Sequence, residues 1–129
     1  MPGTTKKSSS HTISLGEADL VRFFDTPGFQ RPHQVFKILK EDSSGADSRP
    51  YAVRKFALKA DNQAPFPDEV ELLKPIIDGA GIIYVVDGSI PYGEEFDAEL
   101  EILRWTGQVS MALINPIDSE KYVDNWKKM

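Results

Sequence analysis

Gly81-Ile82-Ile83-Tyr84-Val85-Val86-Asp87 decides the fold. It is a continuous, β-branched, apolar run closed by an acid, the pattern of a strand buried on both faces. Residues 94–106 follow, with Phe96, Leu100, Leu103 and Trp105 spaced as the apolar stripe of a helix. Gly107 is placed to end that helix. Val109 to Ile114 is a second apolar strand. Strand, helix and strand in this order predict a βαβ unit with a parallel sheet and helices on both faces.

Upstream, Pro67 with Asp68 and Glu69 predicts a helix start, since proline fits the first turn and acids suit the positive end of the helix dipole. That helix is expected to run to about Asp78. Gln34–Leu39 and residues 51–60 read as shorter helical pieces, separated by a loop over residues 42–50. Thr12–Leu15 and Leu20–Phe24 predict a hairpin turning through Gly16–Asp19. Residues 1–10 read as a polar, Ser-rich arm. Ser119, or its rival Asp118, is the candidate N-cap of a last helix through Trp126.

The 129 residues suit one domain, and a net charge of −5 argues against a general nucleic-acid binder. The absence of cysteine excludes disulfides, thiolate metal sites and a thiol nucleophile. His11 and His33 lack metal-ligand spacing. The apolar runs are too short to span a bilayer and the N-terminus lacks the apolar region of a signal peptide, so the expected location is the cytoplasm. The acids Glu94, Glu95, Asp97, Glu99 and Glu101 are expected to form a solvated helix face, and Trp105 and Trp126 to pack.

Three segments carry chemistry. Asp25-Thr26-Pro27-Gly28 follows an apolar strand. An Asp at a strand end can hold magnesium through water, and a Gly three residues on lets a backbone N–H approach a terminal phosphate. The alternative is a tight turn with Pro27 at its second corner. Pro2-Gly3-Thr4-Thr5-Lys6 alone reads as a polar tail, but its place one hairpin ahead of Asp25 lets a Thr hydroxyl complete the same magnesium shell. Asn115-Pro116-Ile117-Asp118 follows the second apolar strand, and its carboxylate either accepts from the N1–H and amino group of guanine or caps a helix.

Taken together, these segments resemble the Era-like GTPases of the translation-factor-related (TRAFAC) class. Pro2-Gly3-Thr4-Thr5 looks like that group's second motif, Asp25-Thr26-Pro27-Gly28 like its third, and Asn115-Pro116-Ile117-Asp118 stands where Asn-Lys-x-Asp belongs. The stretch from Ile83 to Ser89 and the helix after it resemble a bacterial branch whose GTPase domain precedes a C-terminal domain of unknown function. The resemblance implies a partial G domain over residues 1–129, from the second-motif loop to just past the fourth motif. Its fold would be an incomplete Ras-like three-layer α/β sandwich, mostly parallel with one antiparallel hairpin, lacking the first strand and P-loop. It implies GTP/GDP and Mg2+ as ligands, Thr4, Thr5, Asp25, Thr26, Pro27, Gly28, Asn115 and Asp118 as binding residues, and Thr5 and Asp25 as metal ligands. The family's first strand would lie between the strands ending at Asp25 and Asp87.

Departures from the pattern set the expectations. No Gly-x-x-x-x-Gly-Lys-Ser/Thr occurs, and in the family it would precede Thr4 by about twenty residues. Pro116 replaces the motif's Lys, and Lys6 its Arg. GTP hydrolysis is therefore expected of a completed domain and not of this chain by itself. Residues 1–10 and 29–50 are expected to be the least ordered. The alternative function is a non-catalytic interaction module, taking a protein partner or a second copy through exposed sheet edges and Phe29, Phe36, Phe56 and Phe66.

Overall fold

The computed structural model describes residues 9–128. Ser9–Leu15 (β1) and Ala18–Asp25 (β2) form an antiparallel hairpin. Gly16, at φ +62°, takes the first corner of its two-residue turn, the position at which such turns favour glycine. A register shift beyond Ile13 leaves Leu20 unpaired as a bulge.

Three helices follow, Pro32–Asp42 (α1), Arg49–Leu58 (α2) and Pro67–Ile77 (α3). Each opens with a proline at its first or second position, where the missing N–H costs nothing. The expected loop at residues 42–50 is thus shortened by a 3-10 turn over Ala46–Ser48 and by the start of α2. Ile82–Asp87 (β3), Asp97–Trp105 (α4) and Ser110–Asn115 (β4) form the predicted βαβ unit, and β3 pairs β4 in parallel. Gly107, at φ +72°, ends α4 as expected. Val123–Lys127 (α5) closes the described chain.

The fold is mixed α/β with one antiparallel and one parallel pair of strands. Its core joins Val35 and Leu39 of α1, Phe56 of α2, Leu73 of α3, Ile82 of β3 and Ile102 of α4. No described helix is long and apolar enough to cross a membrane.

Several expectations are corrected. The run at β3 is not covered on both faces. Ile82 and Val86 are buried, whereas Ile83 and Val85 are 50 % and 61 % exposed. Alternation along the strand turns Ile82 and Val86 toward buried neighbours and leaves Ile83 and Val85 on a face that the described residues do not cover. Phe56 and Phe66 are not available to a partner, for they pack on each other inside the core. Phe36 is half-buried, edge-on to Trp105. Residues 29–50, expected to be among the least ordered, contain α1, whose Val35 and Leu39 are fully buried. Of the expected arm over residues 1–10, Ser9 and Ser10 belong to β1, paired with Asp25 and Phe24, while residues 1–8, and with them the Thr4 and Thr5 assignments, lie outside the described chain.

Candidate functional site

The hairpin and the βαβ unit share no strand hydrogen bonds. Between them lies a cleft of about 650 Å³. One side is formed by Phe23 to Phe29, the other by the whole of β3, and Glu99 and Trp126 close parts of its floor. Asp25, Thr26, Pro27 and Gly28 therefore share one cavity with Asp87.

Within the candidate motif the four residues differ sharply. Asp25 ends β2 and is exposed. Pro27 is fully buried and anchors the loop. Thr26 to Phe29 run without a turn, so the tight-turn alternative does not hold. Gly28 is exposed, its φ is not positive, and a Cβ built on it meets no atom within 4 Å. Nothing in the local packing demands a glycine there.

Beyond Gly28 the backbone is fastened by a residue from another helix. Glu69, in the first turn of α3, accepts hydrogen bonds at Oε2 from the amides of Gln30 (2.9 Å) and Arg31 (2.5 Å). Its side chain is 1 % exposed. Sequence reading took Glu69 for a dipole complement. The overlooked signal is its position in line with Leu72, Leu73 and Ile76, three, four and seven residues on, which puts a carboxylate on the apolar stripe.

A second pair lines the cleft. Tyr84 of β3 donates its hydroxyl to Glu99 Oε1 at 2.9 Å. Burial raises the Glu99 carboxyl above its ordinary 4.5; the Tyr84 bond opposes this, the Glu69 charge adds to it, and His33 offsets part. Burial, with the Glu99 charge behind it, likewise raises the Tyr84 phenol. Glu99 is thus half-buried and paired, not part of a solvated acidic face.

The Asn115–Asp118 segment begins where β3 and β4 end in register, Asp87 opposite Asn115. Asp87 Oδ1 accepts from the Ser89 hydroxyl (2.5 Å) and amide (2.9 Å), and these bonds hold its carboxyl below the usual range. The ladder continues one step past the strands, with the Gly88 amide donating to the Asn115 carbonyl at 2.8 Å. A side chain at Gly88 would come within 2.9 Å of Val123 Cγ2, so here packing does require glycine. Trp126, in α5, donates its indole N–H to the Ile90 carbonyl at 2.7 Å and packs edge-on to Tyr92 and Phe96. Asn115 and Asp118 are both exposed. Neither Asp118 nor Ser119 caps α5, because that helix starts at Val123 with Tyr122 before it. Ser119 Oγ instead accepts from the Lys121 amide at 3.3 Å.

The structure therefore brings Asp25–Gly28 to the cleft with β3, and sets Asn115 at the end of the neighbouring strand. Among the described residues no group of three or more acids and histidines forms a metal cluster. A magnesium ion carried on phosphates needs only one or two carboxylates from the protein, and an exposed strand-end Asp25 beside an open Gly28 fits that demand. No protein-family model, curated protein or solved structure matches the chain.

Proposed function

We propose that this chain is the switch-and-base part of a GTP-binding domain of the Era-like kind, a three-layer Ras-like sandwich once its first strand and phosphate loop are in place. Gly28 carries the reading. It stands bare, directly after an acidic strand end, where no packing contact or backbone strain calls for glycine. A residue kept without a side chain for no internal reason suits close approach of a ligand to the backbone.

Asp25 and Thr5 would hold a magnesium ion, Asp25 through water, and the Gly28 amide would meet the γ-phosphate. Thr26 and Pro27 lie in the segment between Asp25 and Gly28, and the resemblance adds Thr4 to the nucleotide-binding residues. Magnesium, when bound with the nucleotide, offsets charge on the β- and γ-phosphates. Asn115 and Asp118 read guanine from the end of β4, and an exposed Asp118 with no capping duty leaves that role open. Water is the nucleophile for the γ-phosphate. This chain's own residues supply orientation and charge, while the phosphate cradle comes from a Gly-x-x-x-x-Gly-Lys-Ser/Thr loop that its sequence does not contain.

Calorimetric titration with magnesium-GTP tests this. The chain alone is expected to show no micromolar binding; such binding would overturn the dependence on a phosphate loop. The same chain extended at its N-terminus by an apolar strand and a Gly-x-x-x-x-Gly-Lys-Ser loop is expected to bind. In that extended chain Asp118→Asn is expected to cost about 2–4 kcal/mol for GTP and shift preference to XTP, whose base carries a carbonyl where guanine carries an amino group. A folded extended chain that binds neither nucleotide would overturn the proposal.

A second reading is favoured by the cleft itself. β2 and β3, whose facing edges pair with no other strand among the described residues, line an apolar slot that suits a module accepting a partner's strand. Tight binding of an apolar strand peptide, with no nucleotide binding in the extended chain, would select it.

A further inference from the structure

Glu69 has no part in the nucleotide contacts above, yet it is the most buried carboxylate described. An ionised carboxylate away from water is costly unless it is hydrogen-bonded. Here the compensation comes from the backbone amides of Gln30 and Arg31, 39 and 38 residues away in sequence. Those two amides lie immediately before Pro32, the first residue of α1. Arg31 stands at the N-cap position but offers no capping side chain of its own.

The fastening falls at a boundary. On one side α1 is packed through Val35 and Leu39. On the other, Pro27 is buried and Phe29 packs against the core, but between them Gly28 is open. Moving Gln30 or Arg31 would strand a buried carboxylate without its hydrogen-bond partners, which is strongly unfavourable. At Gly28 even an added Cβ would meet no atom within 4 Å.

We propose that Glu69 is a positioning residue that fixes the far end of the Asp25–Gly28 segment, so that ligand-driven motion at Gly28 ends before Gln30 and α1 stays in place. This rests on the reading of that segment as the nucleotide-responsive loop. It departs from the expectation that everything from 29 to 50 yields together. Glu69 then sets where Gly28 can travel without touching any ligand itself.

Amide hydrogen exchange followed residue by residue in the full chain tests the anchor, and it needs no nucleotide. In the unaltered protein protection is expected to rise in a step between Phe29 and Gln30. Glu69→Ala is expected to speed exchange at Gln30 and Arg31 at least tenfold more than at the buried amides of α2. Glu69→Gln, which keeps an acceptor oxygen, is expected to restore most of the protection. Val70→Ala, a core truncation one residue along the same helix, is the control for general loosening and is expected to leave the step in place. If Glu69→Ala acts on Gln30 and Arg31 no more than Val70→Ala does, or if no step exists, the anchor is overturned. Failure of the GTP reading shows in the calorimetry of the extended chain, so the two failures are distinct.

Discussion

The β1–β2 hairpin and the α1–α4 cluster are built from equally apolar residues, yet they end in opposite environments. Every residue of β1 and β2 is exposed, including Leu20, Val21, Phe23 and Phe24. In the cluster, Val35, Leu39, Leu73 and Ile102 have no solvent exposure. Helices satisfy their own backbone groups and need only a neighbour for one stripe. A hairpin satisfies one edge and leaves two faces and two edges to be covered by something else. Apolar composition thus becomes stability only where the chain supplies the second surface.

The largest test of this contrast is a pair of truncations. Leu73→Ala is expected to cost about 2–5 kcal/mol in denaturant unfolding. Phe24→Ala is expected to cost about 1 kcal/mol or less, the scale of a cross-strand contact on an open hairpin. Equal costs would mean that the hairpin is covered in solution. Next in size is Gly16→Ala, which forces a Cβ into the left-handed region at φ +62° and is expected to cost about 1–2 kcal/mol, read as selective loss of protection in β1 and β2.

Smaller effects arise at the seam between the two regions. The raised Glu99 carboxyl means that the folded protein holds this proton more tightly than the unfolded chain does. Its contribution is therefore most favourable below the ordinary value of 4.5 and is lost as pH rises through the folded value. Glu99→Gln, which still accepts from Tyr84, is expected to flatten that fall and to be the more stable variant at neutral pH. Asp87 titrates in the opposite sense, since its Ser89 bonds favour the charged form; Ser89→Ala is expected to raise its carboxyl pKa, followed by NMR titration. Smallest of all, Gly28→Ala is expected to change stability by no more than about 0.5 kcal/mol, the range of uninvolved surface substitutions. A larger loss would give Gly28 a structural duty and remove the observation on which the nucleotide reading stands.

The βαβ unit, the hairpin and the proline-led start of α3 were legible because each is written locally, in periodicity and turn residues. The exposure of Ile83 and Val85 was not, because an apolar run reports what a strand is suited to and not which neighbours are present. Of the site, Asp25 and Asn115 fall at strand ends as the pattern required, whereas the expected cap at Asp118 or Ser119 failed because the chain makes a turn first and starts α5 at Val123. Glu69 was missed for a different reason. Its partners are backbone amides, which carry no residue identity, and no local spacing connects α3 to Gln30.

The open hairpin also has a meaning outside the folded molecule's own energetics. Leu20-Val21-Arg22-Phe23-Phe24 is an extended, apolar segment with one basic residue, displayed while the helical cluster beside it is fully folded. Quality-control machinery recognises unfolded chains by surface of this kind. The hairpin therefore presents, in the folded chain, the kind of surface by which an unfolded one is recognised.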